Sequence, residues 1–200
     1  MPGTAAAHNM TTLIEISRMD PGLAPDGFTF WRTGDGDVGD WRVLEDPSAS
    51  DRQVIAQMSK DPTDYRFQLA VYRPISAKNV DVVLRLKPVG GTRLVESSCG
   101  SPRQTTITWS APMLSKTMSG SIAWSRASGN SLTARTFKIA SNEWHTLGLR
   151  AENDRFTISF DGSELFSTMD STFVGTGKVG LWPKADSVTY FDGIAITPLE

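Results

Sequence analysis

The stretch EWHTLGLR at residues 143–150 and the stretch RFTISF at residues 155–160 decide the fold of this chain. In both stretches apolar side chains occupy alternate positions, which is the period of a β-strand with one buried face. Asp161 and Gly162 follow the second stretch directly. An Asp-Gly pair between alternating segments predicts a tight hairpin, because glycine adopts positive φ without steric cost. The segment therefore predicts antiparallel strands that are buried on one side.

Further strands are predicted on both sides of this segment. Residues 178–182 and 188–197 are expected to continue it as an antiparallel meander, connected by residues 183–187. Residues 80–86 carry an apolar side chain at every even position. We predict an all-β fold, an antiparallel β-sandwich of jelly-roll type. Its predicted core consists of the alternating apolar side chains Val80, Val82, Leu84, Leu86, Leu147, Leu149, Phe156, Ile158, Phe160, Val179, Leu181, Ile194 and Ile196.

Length and charge narrow the classes of protein to consider. A chain of 200 residues suits one sandwich domain, and a net charge of −2 argues against a nucleic-acid partner or an acidic membrane surface. No apolar run is long enough to insert into a bilayer. Residues 1–26 are expected to be a leader or loose N-terminus, and residues 27–200 a single domain. The one cysteine, Cys99, allows no internal disulfide.

The order of several short motifs carries a resemblance to a known family. The motifs are EWHTL at 143–147, DRF at 154–156, FDG at 160–162, GKVGLW at 177–182 and KADSVTYFD at 184–192. In this order they resemble the concanavalin A-like lectin/glucanase superfamily. Within it, the chain looks like bacterial proteins of the laminin-G-like and 3-keto-disaccharide hydrolase (DUF1080) type. Residues 39–41, 61–67 and 76–82 also match, so the resemblance covers residues 27–90 and 138–199.

The resemblance implies a fold and two alternative functions. It implies a sandwich that binds a carbohydrate or glycoconjugate, as a non-catalytic binding or surface-interaction module. The alternative is a glycoside-directed hydrolase that acts on 3-keto-disaccharides, which rests on the resemblance alone. The resemblance also implies a secreted or periplasmic protein, although residues 1–10 have neither the basic nor the apolar region of a signal peptide. The oligomeric state stays open.

The predicted ligand site is centred on Trp182, Lys184 and Asp186, which we expect to lie on a solvent-accessible surface of the concave sheet or its rim. An aromatic ring beside a charged loop suits sugar binding, because the ring stacks on the C–H face and the charged groups bond hydroxyls. Trp41 and Tyr65 are candidates for the same surface. The alternative is that Trp182 covers the sandwich edge and that Lys184 and Asp186 form an ion pair within the loop. Two other tryptophans, Trp31 and Trp144, are assigned to the core.

No catalytic residue can be identified from motifs. The superfamily's laminarinase pattern, Glu-x-Asp-x-x-Glu on one strand, is absent, and Glu143, Glu152 and Glu164 are separated by turns and interpreted as solvated strand ends. A serine triad would need His145 as its base, because His8 lies in the N-terminal segment. No Gly-x-Ser-x-Gly motif accompanies it, so His145 is interpreted as structural.

A calcium site is the one metal or cofactor alternative that the sequence offers. Asp35, Asp37 and Asp40 alternate with glycines in a polar loop, and such carboxylates can wrap a hard cation. The loop has no closing bidentate glutamate, and a solvated turn built from Asp and Gly explains it as well. No other metal or cofactor is predicted.

Residues 92–136 depart from the rest of the chain. They contain ten Ser and seven Thr, with one acidic residue against five basic ones, and no apolar alternation. Permitted codons for residues 104–126, read from the third base, spell DNYYVVRANALEDNVRLYRVVE, which resembles a strand pair of the family. The single codons of Trp109, Met113, Met118 and Trp124 fit this reading. We therefore expect a frameshifted segment at about 92–136, restored near residues 136–137; the alternative is a long Ser/Thr-rich loop.

Overall fold

A computed structural model describes residues 10–32, 36–60, 68–90, 140–169, 171, 175–183 and 187–200, together with the backbone of residues 105–109, 116–117, 121–125 and 131–136. The strands are β1 (Thr12–Leu13), β2 (Phe28–Arg32), β3 (Trp41–Glu45), β4 (Gln53–Gln57), β5 (Gln68–Tyr72), β6 (Asn79–Gly90), β7 (Thr105–Trp109), β8 (Lys116–Thr117), β9 (Ser121–Ser125), β10 (Ser131–Thr136), β11 (His145–Glu152), β12 (Arg155–Phe160), β13 (Ser163–Met169), β14 (Val179–Pro183) and β15 (Val188–Leu199). A short 3-10 helix, Ile16–Arg18, follows β1. Within these residues no helix combines the length and apolar character that crossing a membrane requires.

The strands form two sheets that face each other across the core. The larger sheet has the order β13-β12-β11-β6-β15-β4-β3, with β1 added beside β15, and the smaller sheet has the order β2-β5-β14-β7. Strands β8, β9 and β10 form a separate three-stranded sheet. Every pairing described is antiparallel. The predicted antiparallel sandwich is confirmed.

The core consists of the alternating apolar positions of both sheets. All thirteen side chains predicted for it are buried, from Val80 to Ile196. Phe28 and Ala70 of the smaller sheet belong to the same cluster as Val82 and Leu149 of the larger one. The cluster is therefore the interior between the two sheets, and the period of two in the sequence reports which side of each strand faces it.

The predicted hairpin is present between β12 and β13. Asp161 and Gly162 both have positive φ, 47° and 78°. These values fit the two-residue turn whose twist matches that of the flanking strands. The Asp161 carboxylate also accepts the backbone N–H of Thr146 at 2.8 Å, which ties the turn to the start of β11.

The predicted meander is wrong for the last two strands. β11, β12 and β13 are consecutive neighbours, but β14 lies in the smaller sheet between β5 and β7. β15 then returns to the larger sheet, where it pairs with both β6 and β4. Alternation shows which side of a strand faces the interior, and that side is the same for both sheets of a sandwich. It therefore cannot assign a strand to one sheet.

The described part of the N-terminal segment packs on the sandwich, whereas the sequence suggested a loose stretch. Thr12 and Leu13 pair with Ile196 and Ala195 of β15. Ile14 and Ile16 belong to the main core cluster, and Ile16 is fully buried. Residues 10–19 therefore contribute to the core, and the expectation of looseness is corrected for them. The division of the chain at residue 26 stays a prediction.

The unusual segment, residues 92–136, includes regular backbone. β7 pairs with β14 along five positions, from Val179↔Trp109 to Pro183↔Thr105, and so forms one edge of the smaller sheet. β9 pairs with β10 and with β8. The alternative of one long loop is therefore wrong for these stretches of backbone. The side chains of residues 92–136, including Cys99, lie outside the described residues.

Candidate functional site

Three connections that carry sequence-predicted site residues begin and end at the same end of the sandwich. β2 ends where β5 begins, since Arg32 pairs with Gln68. β3 begins where β4 ends, since Trp41 pairs with Gln57. Thr189, near the start of β15, pairs with Gln57 as well. We call this the loop end. Tyr65, Lys184 and Asp186 lie outside the described residues.

The two predicted aromatic residues that the structure describes are both buried. Trp41 lies in the interior, its ring stacked between Phe30 and Phe191 at centroid distances of 6.2 Å on each side. Trp182 lies on the outer side of β14, because Val179 and Leu181 of the same strand face the core. It is nevertheless only 1% exposed. The expected solvent exposure of Trp182 is therefore wrong, since both faces of β14 are covered; its role in ligand binding stays a prediction.

Trp31 is the exposed tryptophan that the sequence assigned wrongly to the core. It lies on β2 with 61% of its surface exposed. Its neighbours in the strand, Phe28 and Phe30, pack on the core, so Trp31 and Thr29 lie on the outer side. In the stretch FTFW at residues 28–31, apolar residues occupy both odd and even positions, so the pattern does not show which side of the strand Trp31 faces. The one available signal is Thr29, a polar residue that marks the outer side of the strand.

Trp31 has apolar neighbours on the outer face of the smaller sheet. Leu69 of β5 pairs directly with Trp31, and Val71 pairs with Thr29. Gly180 of β14 pairs with Val71 on its other side and adds no side chain. We call Thr29, Trp31, Leu69 and Val71, which are all partly or fully exposed, the Trp31 face. A flat aromatic ring beside half-buried apolar side chains suits stacking on the apolar face of a ligand ring.

The interior at the loop end is polar. The side-chain amides of Gln57 and Gln68, one from each sheet, are 2.5 Å apart, and the Gln68 amide nitrogen donates to Ser59 Oγ at 3.1 Å. If both amides are turned by 180°, the Gln57 nitrogen donates to the Ser187 carbonyl oxygen at 2.9 Å and its oxygen accepts from the Ser59 N–H at 3.0 Å and from the Gln68 nitrogen. The Gln68 oxygen then accepts from the Ser59 hydroxyl instead of its nitrogen donating to it. Both glutamines are buried. A hydrogen-bonded layer therefore closes the hydrophobic core at this end.

Several buried polar atoms at the loop end have no hydrogen-bond partner in the part of the chain that is described. They are Nε and Nη2 of Arg32, Nε1 of Trp41, Oγ of Ser187 and Oγ1 of Thr189. An unpaired buried polar atom costs about 1–3 kcal/mol, so such atoms are rare and call for a ligand, water or ion. Their concentration at one end marks a place where a polar ligand could supply the missing bonds.

Two glycines of the Asp/Gly loop let the backbone lie directly on this polar layer. Gly39 has φ +90°, and a Cβ there would lie 2.5 Å from Cγ of Gln68. Gly36 has φ +116°, and a Cβ there would overlap the Arg32 guanidinium. The glycines of this loop thus have a packing role, which the sequence pattern alone did not suggest.

The calcium alternative gains no support from the described part of this loop. Asp40 accepts a hydrogen bond from Arg42 Nε at 2.6 Å, and Asp37 is exposed. Asp35 lies outside the described residues. Among the residues described, no group of three His, Cys, Asp or Glu side chains could hold a metal ion.

The candidate catalytic residues are arranged as structural groups. Glu143, Glu152 and Glu164 are all exposed, as expected of strand ends. His145 Nδ1 hydrogen-bonds to Asp161 Oδ2 at 2.8 Å, and its ring stacks on Phe160. Nε2 of His145, which a triad would direct at a nucleophile, has no partner among the described groups. His145 therefore anchors the β12–β13 turn, as the structural interpretation predicts.

A charged cluster lies on the outer face of the larger sheet. Lys87 donates to Asp46 and, at 2.9 Å, to Ser48, and Trp144 Nε1 donates to Ser48 at 2.9 Å. Trp144, predicted as core, is half-buried against a small apolar cluster there. Burial disfavours the Asp46 anion, but hydrogen bonds from Lys87 and Ser48 outweigh it and hold the pKa of Asp46 below its ordinary value. These paired groups fasten the β3–β4 loop to the sheet.

Comparison with solved structures identifies the class of fold. Carbohydrate-binding module CBM66 from Bacillus subtilis matches with a TM-score of 0.57 at 14% identity, covering 86% of this chain and 95% of that chain. Domain 4 of AbnA, a GH43 extracellular arabinanase from Geobacillus stearothermophilus in complex with arabinotriose, matches with a TM-score of 0.53 at 15% identity, covering 94% and 93%. The Bacillus licheniformis β-glucanase matches with a TM-score of 0.54 at 8% identity, covering 98% and 100%.

At these identities the likeness concerns the fold alone. The chain is a β-sandwich of the concanavalin A-like jelly-roll class, as the sequence predicts. No family model matches the chain, and no curated protein matches it either.

Proposed function

We propose that this chain is an extracytoplasmic carbohydrate-binding module and that its ligand stacks on the Trp31 face. The observation that carries the proposal is the 61% exposure of Trp31 on the edge strand β2. Burying such a ring against a sugar removes apolar surface from water without loss of an internal contact.

The similar solved structures support this choice of ligand and location. They include a carbohydrate-binding module and a domain of an extracellular arabinanase in complex with arabinotriose. Within the concanavalin A-like superfamily, the motif order supports a relationship of this chain to the laminin-G-like and 3-keto-disaccharide hydrolase domains. The motifs and the glucanase likeness also keep a glycoside-directed hydrolase as the alternative function. The exposed, dispersed glutamates favour binding without turnover.

Replacement of Trp31 tests the proposal. A glycan array would first identify a ligand, and titration calorimetry would compare the parent protein with Trp31→Ala and Trp31→Phe. Loss of a stacking hot spot of about 2 kcal/mol weakens binding about 30-fold. We expect this loss in Trp31→Ala, an unchanged melting temperature, and partial retention in Trp31→Phe.

The matched control is Val83→Ala, because Val83 is 41% exposed on the larger sheet. Its affinity should equal that of the parent. Equal affinity of Trp31→Ala and the parent for every ligand found would refute the assignment of the Trp31 face. Hydrolysis of a glycan or 3-keto-disaccharide by the purified protein would favour the hydrolase instead.

We also propose that residues 92–136 are translated in a shifted reading frame. The support is the excess of Ser and Thr, the single acidic residue, and the alternating segments that the shifted reading restores. The shifted reading places its YYVVR and RLYRV segments at the positions of β7 and β9. Sequencing of the locus decides this, since a frame without a compensating pair of one-base changes would contradict it.

A further inference from the structure

Arg32 is a cation without a carboxylate partner among the described residues. Its side chain lies on the inner side of β2, at the loop end, where Arg32 pairs with Gln68 of β5. The residue is half-buried, and its Nε and Nη2 atoms are buried and make no hydrogen bond to the described groups. The nearby acid Asp40 is already held by Arg42 at 2.6 Å. A partly desolvated guanidinium with two unused donors is unfavourable unless an anion joins it.

The backbone of the following loop lies close to this guanidinium. Gly36 lies against its Nη1 atom, at a position where any larger residue would collide with it. Gln68, the neighbour of Arg32 across the strand pair, is fixed by Gln57 and Ser59. Nε and Nη2 of Arg32 form one edge of the guanidinium. That edge matches the two oxygens of a carboxylate or sulfate group.

We propose that the glycan recognised by this protein is acidic and that Arg32 binds its anionic group. The proposal rests on the proposed function. Trp31 and Arg32 are consecutive residues of an edge strand, so their Cα atoms are about 3.8 Å apart, and their side chains lie on opposite sides of it. One sugar stacks on Trp31 at the end of the strand while the anionic group of a neighbouring sugar reaches around to Arg32. Ser187 Oγ and Thr189 Oγ1 offer further unused polar atoms at the same end.

The test compares matched ligands and matched variants. The ligands are a uronic-acid oligosaccharide, the same oligosaccharide with its carboxyl groups reduced to alcohols, and a sulfated oligosaccharide of similar length. The variants are Arg32→Gln, Arg32→Lys and the control Arg42→Gln, which removes an exposed arginine that is paired with Asp40. Calorimetry gives affinities, and thermal unfolding identifies any variant that fails to fold.

We expect the parent to bind an acidic ligand at least tenfold more tightly than its reduced counterpart, as charge-assisted hydrogen bonds predict. Arg32→Gln should remove this preference, so that the variant binds the acidic ligand no more tightly than its reduced counterpart. Arg32→Lys should keep part of the preference, and Arg42→Gln should keep all of it. The preference for the uronate should disappear below about pH 3.5, where its carboxyl groups are protonated, whereas a preference for the sulfated oligosaccharide should persist at low pH.

The outcomes separate this inference from the function on which it rests. Trp31-dependent binding of neutral glycans without any preference for acidic ones would overturn the role of Arg32 alone. So would an acidic preference that survives in a folded Arg32→Gln protein. If Arg32→Gln does not fold, equal binding of the acidic and reduced ligands by the parent overturns the inference without any variant. Failure of all glycans to bind would contradict the proposed function itself.

Discussion

Asp46 and Lys87 form the best-enclosed ion pair among the residues described. Their side chains are about one-tenth exposed, 10% for Asp46 and 11% for Lys87. Ser48 donates to the same carboxylate through its backbone N–H at 2.9 Å and its hydroxyl at 2.7 Å. Because the pair is enclosed, removal of one partner leaves an uncompensated charge, which costs far more than the loss of a surface ion pair.

Asp46→Asn should lower the free energy of unfolding at pH 7 by about 3 kcal/mol. The depressed pKa of Asp46 means that its contribution is complete above the unfolded-state pKa, about 3.9, and is lost as the pH falls through the lower folded-state pKa. The difference in the free energy of unfolding between Asp46→Asn and the parent should therefore shrink below about pH 4. Urea unfolding at pH 7 and pH 3 measures it.

The control for this prediction is Asp81→Asn. Asp81 lies 3.9 Å from Arg150, with both side chains more than a third exposed. Its loss should cost less than about 0.5 kcal/mol at either pH. Two results would contradict this account of the ion pair. One is a loss of unfolding free energy in Asp46→Asn as small as that in Asp81→Asn, and the other is a loss that stays constant on acidification.

Tryptophan positions illustrate what sequence can predict at the scale of residues. The thirteen core predictions were confirmed because each belongs to an unambiguous alternation. The core assignment of Trp31 and the expected solvent exposure of Trp182 are wrong, because exposure depends on what covers the outer side of a strand. For β14 that side is covered, and for β2 it is open. Alternation predicts on which side of a strand a residue lies, but it does not predict whether that side is exposed to solvent.

The N-terminal strand and helix form the element that adds most to the expected fold. β1 extends the larger sheet along β15, and the 3-10 helix inserts Ile16 into the core. Leu13, in the same short strand, is 66% exposed. A two-residue strand and a three-residue helix are too short to show a hydrophobic period, so the segment resembles a leader in the sequence.

Ile16→Ala tests whether this element stabilises the sandwich. Truncation of a fully buried isoleucine typically costs 2–5 kcal/mol, so we expect a loss of about 3 kcal/mol in the free energy of unfolding. Leu13→Ala is the matched control and should change stability by less than about 0.5 kcal/mol. Denaturant titration of both variants gives the comparison. Equal, small effects would mean that the segment is as loose as its sequence suggested.

At the scale of the whole molecule, the sandwich brings together residues that are far apart in sequence. Arg32, Gln57, Gln68 and Thr189 come from four strands and meet at the loop end. The sequence predicted the strand that carries Thr189, and it offered Trp41 and Tyr65 as candidates for the surface of Trp182; Trp41 and Trp182 are both buried. It could not predict the polar layer, because no local pattern distinguishes an inward glutamine at a strand end from an outward one.

The central claim is that a glycan stacks on Trp31. NMR spectroscopy of the ¹⁵N-labelled protein tests it most directly, because each of the six tryptophans contributes one indole N–H signal. Trp31→Phe assigns the Trp31 signal by its disappearance. During titration with a glycan that binds, we predict that the Trp31 signal shifts progressively and saturates, while the signal of the buried Trp41 moves little. A bound glycan that leaves the Trp31 signal in place would contradict the account.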